Sequence, residues 1–188
     1  MSQGTLYIHP RSPRSTWLNQ LTEDLKLNIT IKDISAPEFK ELFPLGKTPA
    51  FIDETGFKLT ETPFVFFYLI SLADNSKLAG SNEKEKANVG QWLNFYNQDV
   101  FEAFIAYMQS QDDESKEKAL KKIAYYNEYI DNTLSTKKWL VGNEMTIADI
   151  YLQKCFKSSV AYLGSLDKYK NVLRWINDGD EEKPIYKS

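Results

Sequence analysis

The chain has 188 residues, 42% hydrophobic and 14% aromatic, enough for one large domain or two small ones with real cores and too apolar for a disordered chain. A formal net charge of -3 gives no bulk attraction to nucleic acid or to an anionic membrane, and one Cys with one His removes most metal-site and Cys–His nucleophile schemes. With no internal disulfide, no signal-peptide pattern in Met1–Pro10 and no apolar run near the roughly 20 residues of a membrane span, a cytoplasmic protein is expected.

Thr5–Ile8 reads as a short first strand, ended by His9 and Pro10. Arg11–Ser15 is a loop of turn residues in which Ser12 or Ser15 can cap the next helix. Trp17, Leu18, Leu21 and Leu25 recur at helical spacing, so that helix runs to about Leu25. Asn28–Ile34 alternates polar and apolar residues, the pattern of a second strand, and the right-handed crossover rule makes it parallel to the first. Ser35-Ala36-Pro37-Glu38 combines a cap, a first-turn proline and an acid, opening a short helix with Phe39 and Leu42 on its apolar side.

Phe43–Lys47 is a turn punctuated by Pro44 and Gly46, Thr48–Ile52 a strand entered through Pro49, Asp53–Gly56 a hairpin turn and Phe57–Thr60 the returning strand. Pro49 donates nothing to a sheet ladder, and the residues alone leave a cis bond and an ordinary trans edge proline both open. Thr62 is then placed as an N-cap with Pro63 at the first helical position, ahead of the apolar run Phe64–Ile70. The order βαβ followed by ββα is the topology of a thioredoxin-like domain.

Residues 73–86 are a polar interruption and the expected boundary between a domain at 1–72 and an all-helical one at 87–188. Val89, Trp92, Leu93, Tyr96, Val100, Phe104, Ile105 and Met108 predict one long helix. Phe95, Tyr96, Phe101, Phe104 and Tyr107 spread around it, more apolar surface than one face needs, which points to an interface with a partner or a second copy. Acids at 112–114 suit the start of the next helix, and Leu120, Ile123, Asn127, Ile130 and Leu134 mark its inner face. Lysines 116, 118, 121 and 122 alternate with acids and read as a solvated face rather than a nucleic-acid patch. Thr146 and Asp149 have capping-box spacing, flanked by Met145 and Ile150 as a hydrophobic staple. Cys155 reads as core, Val172, Leu173, Trp175 and Ile176 as a last short helix, and Asp178–Ser188 as a charged tail.

GTLYIHPRSPRS at 4–15, FPLGKTPAF at 43–51 and GFKLTE at 56–61 resemble the glutathione transferase superfamily. Within it they are most similar to the N-terminal glutathione-transferase-like domain of the yeast-type gamma subunit of eukaryotic translation elongation factor 1B. The resemblance implies an α/β thioredoxin-like N-terminal domain followed by an all-α C-terminal domain, a cis bond at Thr48–Pro49, and a buried N-capping box at Thr146 and Asp149. It also implies a glutathione site. Glu61 and Thr62 would hold the γ-glutamyl end, the backbone of Thr48 beside Pro49 the cysteinyl part, and Lys47 the glycyl carboxylate. Pro63 departs from the family pattern.

Ser12-Pro13-Arg14-Ser15 stands where thioredoxin-like folds carry the redox pair C-P-x-C, and with serine at both positions disulfide exchange has no thiolate. In the serine-type transferases a serine here hydrogen-bonds the glutathione thiolate. That makes Ser12 the catalytic candidate, ahead of Ser15 and Tyr7, with a turn-shaping role open beside it. The favoured reading is a non-catalytic or weakly catalytic scaffold that docks the guanine-nucleotide-exchange subunit of elongation factor 1B or a related translation factor, as a homodimer or not, without membrane or direct nucleic-acid contact. It requires no cofactor. The alternative is a glutathione transferase acting on small electrophiles, with glutathione as co-substrate. The gamma subunit continues through a Lys-rich linker into a second conserved domain, neither of which lies in these 188 residues, so a divergent paralogue and an isolated domain are both expected readings.

Overall fold

The first unit is assembled on β1 (Gly4–Ile8), whose Leu6 and Tyr7 are buried. In this computed structural model, which describes residues 3–73, 76–160 and 166–181, the chain divides after Ala79 into two units, taken here in turn. β1 runs parallel to β2 (Ile29–Asp33), from Gly4 opposite Ile29 to Ile8 opposite Asp33. It runs antiparallel to β3 (Ala50–Ile52), with Tyr7 opposite Ala50, and β3 pairs antiparallel with β4 (Lys58–Leu59). The order β2-β1-β3-β4, interrupted by α1 (Leu18–Asp24) and α2 (Phe39–Leu42) and followed by α3 (Thr62–Leu72), is the thioredoxin-like arrangement. Val65, Phe66, Leu69 and Ile70 of α3 are buried, as are Leu6, Leu18, Leu21 and Phe51. A smaller cluster joins Tyr7, Phe39, Phe43 and Ala50, with the Tyr7 ring 5.3 Å from that of Phe39 and 5.7 Å from that of Phe43.

Three expected caps are corrected. α1 starts only at Leu18, with Trp17 at its cap and no side-chain cap bond, because Ser15 and Thr16 N–H groups turn back onto the Ser12 carbonyl. α2 starts at Phe39 after Glu38, and Ser35 N–H bonds Asp33 Oδ1 instead, an Asx-type turn. α3 starts one residue early, so Thr62 lies inside the first turn, Pro63 follows it where an N–H would still lack a partner, and Glu61 precedes the helix at φ 67.

In the second unit Asn82 caps α4 (Glu83–Phe95), accepting from Lys84 and Glu85 N–H. The expected single helix continues instead through a π-helical stretch, Tyr96–Val100, into α5 (Phe101–Gln109). Within that stretch Asn97 Nδ2 donates to Leu93 O at 3.0 Å. Asp112 caps α6 (Asp113–Leu134), accepting from Ser115 N–H at 2.7 Å. The buried face of α6 runs through Ala119, Ile123, Tyr126, Asn127, Ile130 and Leu134, whereas Leu120 is exposed, one position off the expected stripe. Tyr96 and Phe101 are buried too, so they supply no outer surface; Phe95, Phe104, Tyr107 and Met108 retain exposure.

α7 (Ile147–Val160) and α8 (Lys170–Glu181) complete the unit. Residues 178–181 thus extend α8 instead of opening the tail, and the rest of that stretch lies outside the described residues. Asp149, at 0% exposure, accepts from Leu140 N–H and Trp175 Nε1–H on Oδ1 and from Thr146 N–H and Oγ1–H on Oδ2, all within 2.8–3.0 Å. Burial pushes its carboxyl pKa up, and these four donors act against that. Cys155 is a buried thiol at 0% exposure, as its core reading expects. No described helix is long and apolar enough to cross a membrane.

Candidate functional site

Strand register decides which loops meet. The β1–β3 ladder ends at Tyr7 opposite Ala50, so the loop that follows β1 and the Thr48–Pro49 bend that precedes β3 leave the sheet at the same end. On the other side Phe51 faces Leu59 in the antiparallel β3–β4 pair, so the Glu61–Thr62 turn after β4 leaves the sheet at that end as well. With neighbouring strands about 4.8 Å apart, the loop after β1, the Thr48–Pro49 bend and the Glu61–Thr62 turn therefore lie at one end of the sheet. The loops that carry the expected residues Ser12, Thr48, Pro49, Glu61 and Thr62 thus share one end of the sheet. Lys47 is exposed in the adjoining turn.

The Thr48–Pro49 bond is cis, as the resemblance implies. Pro49 and Thr62 are buried, Thr48 is half-buried and Glu61 is exposed. Glu61 has φ 67 and ψ 118, a backbone conformation in which a side chain is costly, and its carbonyl accepts from Phe64 and Val65 N–H at 3.1 Å each. The first turn of α3 thereby holds Glu61 in that conformation.

In the loop after β1, Ser12 is half-buried; its N–H donates to His9 O at 3.1 Å and its Oγ accepts from Arg14 N–H at 3.3 Å. Ser15 is fully buried, and its Oγ both accepts from His9 N–H (3.1 Å) and donates to His9 O (3.2 Å). Tyr7 donates its hydroxyl to Glu38 Oε1 at 2.9 Å, and Lys32 Nζ reaches the same oxygen at 2.7 Å. Burial and then Glu38 push the Tyr7 hydroxyl up to about 12, while Lys32, a backbone N–H and Tyr7 hold Glu38 down at about 2. Ser15 and Tyr7 are therefore structural, with polar atoms already engaged, and Ser12 keeps its own hydroxyl proton to offer. Nothing in the spacing of Glu38 marked it as the partner of Tyr7, since the packing of α2 against β1, with Phe39 and Phe43 on the Tyr7 ring, brings them together. Among the described residues no group of three or more His, Cys, Asp or Glu could hold a metal ion.

Residues 2–71 match the family model described as Glutathione S-transferase, N-terminal domain, and residues 94–178 match Glutathione S-transferase, C-terminal domain. Glutathione S-transferase Y-2 of Pichia kudriavzevii is 32% identical over 100% of this chain and 100% of its own length. Elongation factor 1-gamma of Schizosaccharomyces pombe is 30% identical over 93% of this chain, which spans 46% of that protein. A solved glutathione S-transferase from Pichia kudriavzevii matches at 36% identity with a TM-score of 0.84, covering 96% of this chain and 93% of that one. With the sheet order, the helical second unit and the likeness all running the length of the chain, the protein belongs to the glutathione S-transferase family.

Proposed function

We propose that this protein binds glutathione at the sheet end and conjugates it to small electrophiles in a cytoplasmic setting. The γ-glutamyl end is held at Glu61 and Thr62, the cysteinyl backbone runs beside Thr48, and Lys47 offers charge to the glycyl carboxylate. The observation that carries this reading is Glu61. A non-glycine residue at φ 67 and ψ 118 costs on the order of 1–3 kcal/mol and persists where its surroundings hold it, as in ligand clamps. In the reaction the thiol proton leaves to solvent, a hydroxyl donated by Ser12 steadies the thiolate, a carbon–sulfur bond forms and the electrophile's leaving group departs. α1 has seven residues and begins six positions after Ser12, so its dipole adds little thiol activation and modest turnover is expected.

A second reading is favoured by the 30% identity to elongation factor 1-gamma, namely docking of a guanine-nucleotide-exchange subunit in translation. Calorimetric titration with glutathione, turnover of 1-chloro-2,4-dinitrobenzene and capture of that subunit separate the two. Millimolar or tighter binding that weakens on the order of tenfold in Thr62→Val, with measurable conjugation, supports the transferase. Capture of the exchange subunit without any glutathione binding would replace it with the docking role.

A further inference from the structure

The hydrogen-bond donors at the sheet end can be followed one by one. Tyr7 gives its hydroxyl to Glu38, and Ser15 gives its own to His9 O. Ser12 N–H is taken by His9 O, and Ser15 and Thr16 N–H by Ser12 O. The Ser12 hydroxyl and the ring of His9, the only histidine in the chain, belong to the same end of the sheet.

The tautomer of that ring follows from one contact. Arg11 N–H donates to His9 Nδ1 at 3.1 Å, and a backbone amide can only donate, so in the neutral ring the proton sits on Nε2. Nε2 makes no hydrogen bond among the described residues. His9 is half-buried, and the Arg11 N–H bond holds its ring at Nδ1. His9 follows β1 at the end of the sheet where Thr48 precedes β3, and the Ser12 N–H bond folds the Ser12 loop back onto the His9 carbonyl. Arg11 and Arg14 add positive charge to the same loop, which favours an anion there.

We propose that His9 Nε2–H is a catalytic hydrogen-bond donor to the glutathione sulfur, acting with the Ser12 hydroxyl to hold it as a thiolate. This rests on the glutathione reading above. His9 keeps its own proton while the thiol proton goes to solvent, so the imidazole acts as a neutral donor and not as a base.

His9→Asn keeps an oxygen to accept Arg11 N–H but withdraws the donor at the Nε2 position, and His9→Gln returns an amide N–H near it. The bound thiol, followed by thiolate ultraviolet absorbance against pH, should ionise about one pH unit higher in His9→Asn. Turnover of 1-chloro-2,4-dinitrobenzene should fall about 10- to 100-fold with KM nearly unchanged, and His9→Gln should recover part of it. An independent measurement uses the unmutated protein, whose single histidine makes its ring nitrogen resonances unambiguous. Nε2 should shift on adding glutathione and hardly at all with the sulfur-free peptide γ-glutamyl-alanyl-glycine. Equal shifts with the two peptides, or an unmoved thiolate profile in His9→Asn, overturn the role of His9 while leaving glutathione binding intact. Absence of calorimetric binding to the unmutated protein removes the glutathione reading and this inference together.

Discussion

Asp149→Ala should destabilise the helical unit far more than loss of its capping partner Thr146. The substitution removes one fully buried carboxylate and leaves three buried N–H donors, on Leu140, Thr146 and the Trp175 indole, without an acceptor. At about 1–3 kcal/mol per orphaned donor the gross loss is roughly 3–9 kcal/mol. Part is offset, because the deleted carboxyl was itself disfavoured by burial. A net cost of about 3–5 kcal/mol follows, against about 1 kcal/mol for Thr146→Ala, which loses only the hydroxyl contact at 3.0 Å. At about 2–4 °C per kcal/mol for a chain of this size, the midpoints should fall by about 6–20 °C and about 2–4 °C. Far-ultraviolet circular dichroism follows the helices, and the buried Trp139 and Trp175 report packing by fluorescence. Because the chain has two units, urea slopes should be compared as well, since a changed slope signals loss of two-state unfolding. Equal shifts for the two variants would refute the argument that one carboxylate ties the 140 loop, α7 and α8 together.

Asp131 caps α8 from α6, accepting from Asn171 and Val172 N–H at 2.8 and 3.0 Å; Asp131→Ala should cost about 1–2 kcal/mol in denaturant melts. Lys32 holds the Glu38 carboxyl at about 2, below its ordinary 4.5, so its contribution is full above 4.5 and is lost as pH falls towards 2; Glu38→Gln should flatten the acid limb of a stability profile. Tyr7, raised from 10.0 to about 12, contributes fully below 10 and loses that contribution as pH rises through 12, so Tyr7→Phe should flatten the alkaline limb. In each case an unchanged limb refutes the linkage. Thr62→Val, tested by glutathione calorimetry, should weaken binding without moving the thermal midpoint by more than a few degrees.

Much of the fold follows from local pattern. Alternation at Asn28–Ile34, the turn chemistry at Pro44–Lys47 and Asp53–Gly56, and the capping spacing of Thr146 and Asp149 each state a local preference strong enough to survive folding. The acids at 112–114 do the same for the start of α6. Caps were less legible. Ser12, Ser15, Ser35 and Thr62 have the right chemistry for capping, yet turns within the neighbouring loops engage the first three, and Thr62 lies inside the helix. A cap is a local choice among several side chains, and competing turns decide between near-equal options.

The sequence alone therefore determined the order of elements, the absence of a dithiol pair and the family likeness, because these depend on composition and short-range spacing. It left open the isomer of Thr48–Pro49 on the residues alone, the backbone of Glu61, the partner of Tyr7 and the free N–H of His9. Those depend on which strands lie side by side and in what register. Only the folded sheet, by sending the loop after β1, the bend before β3 and the turn after β4 to one end, gathers loops scattered over more than fifty positions into one candidate site.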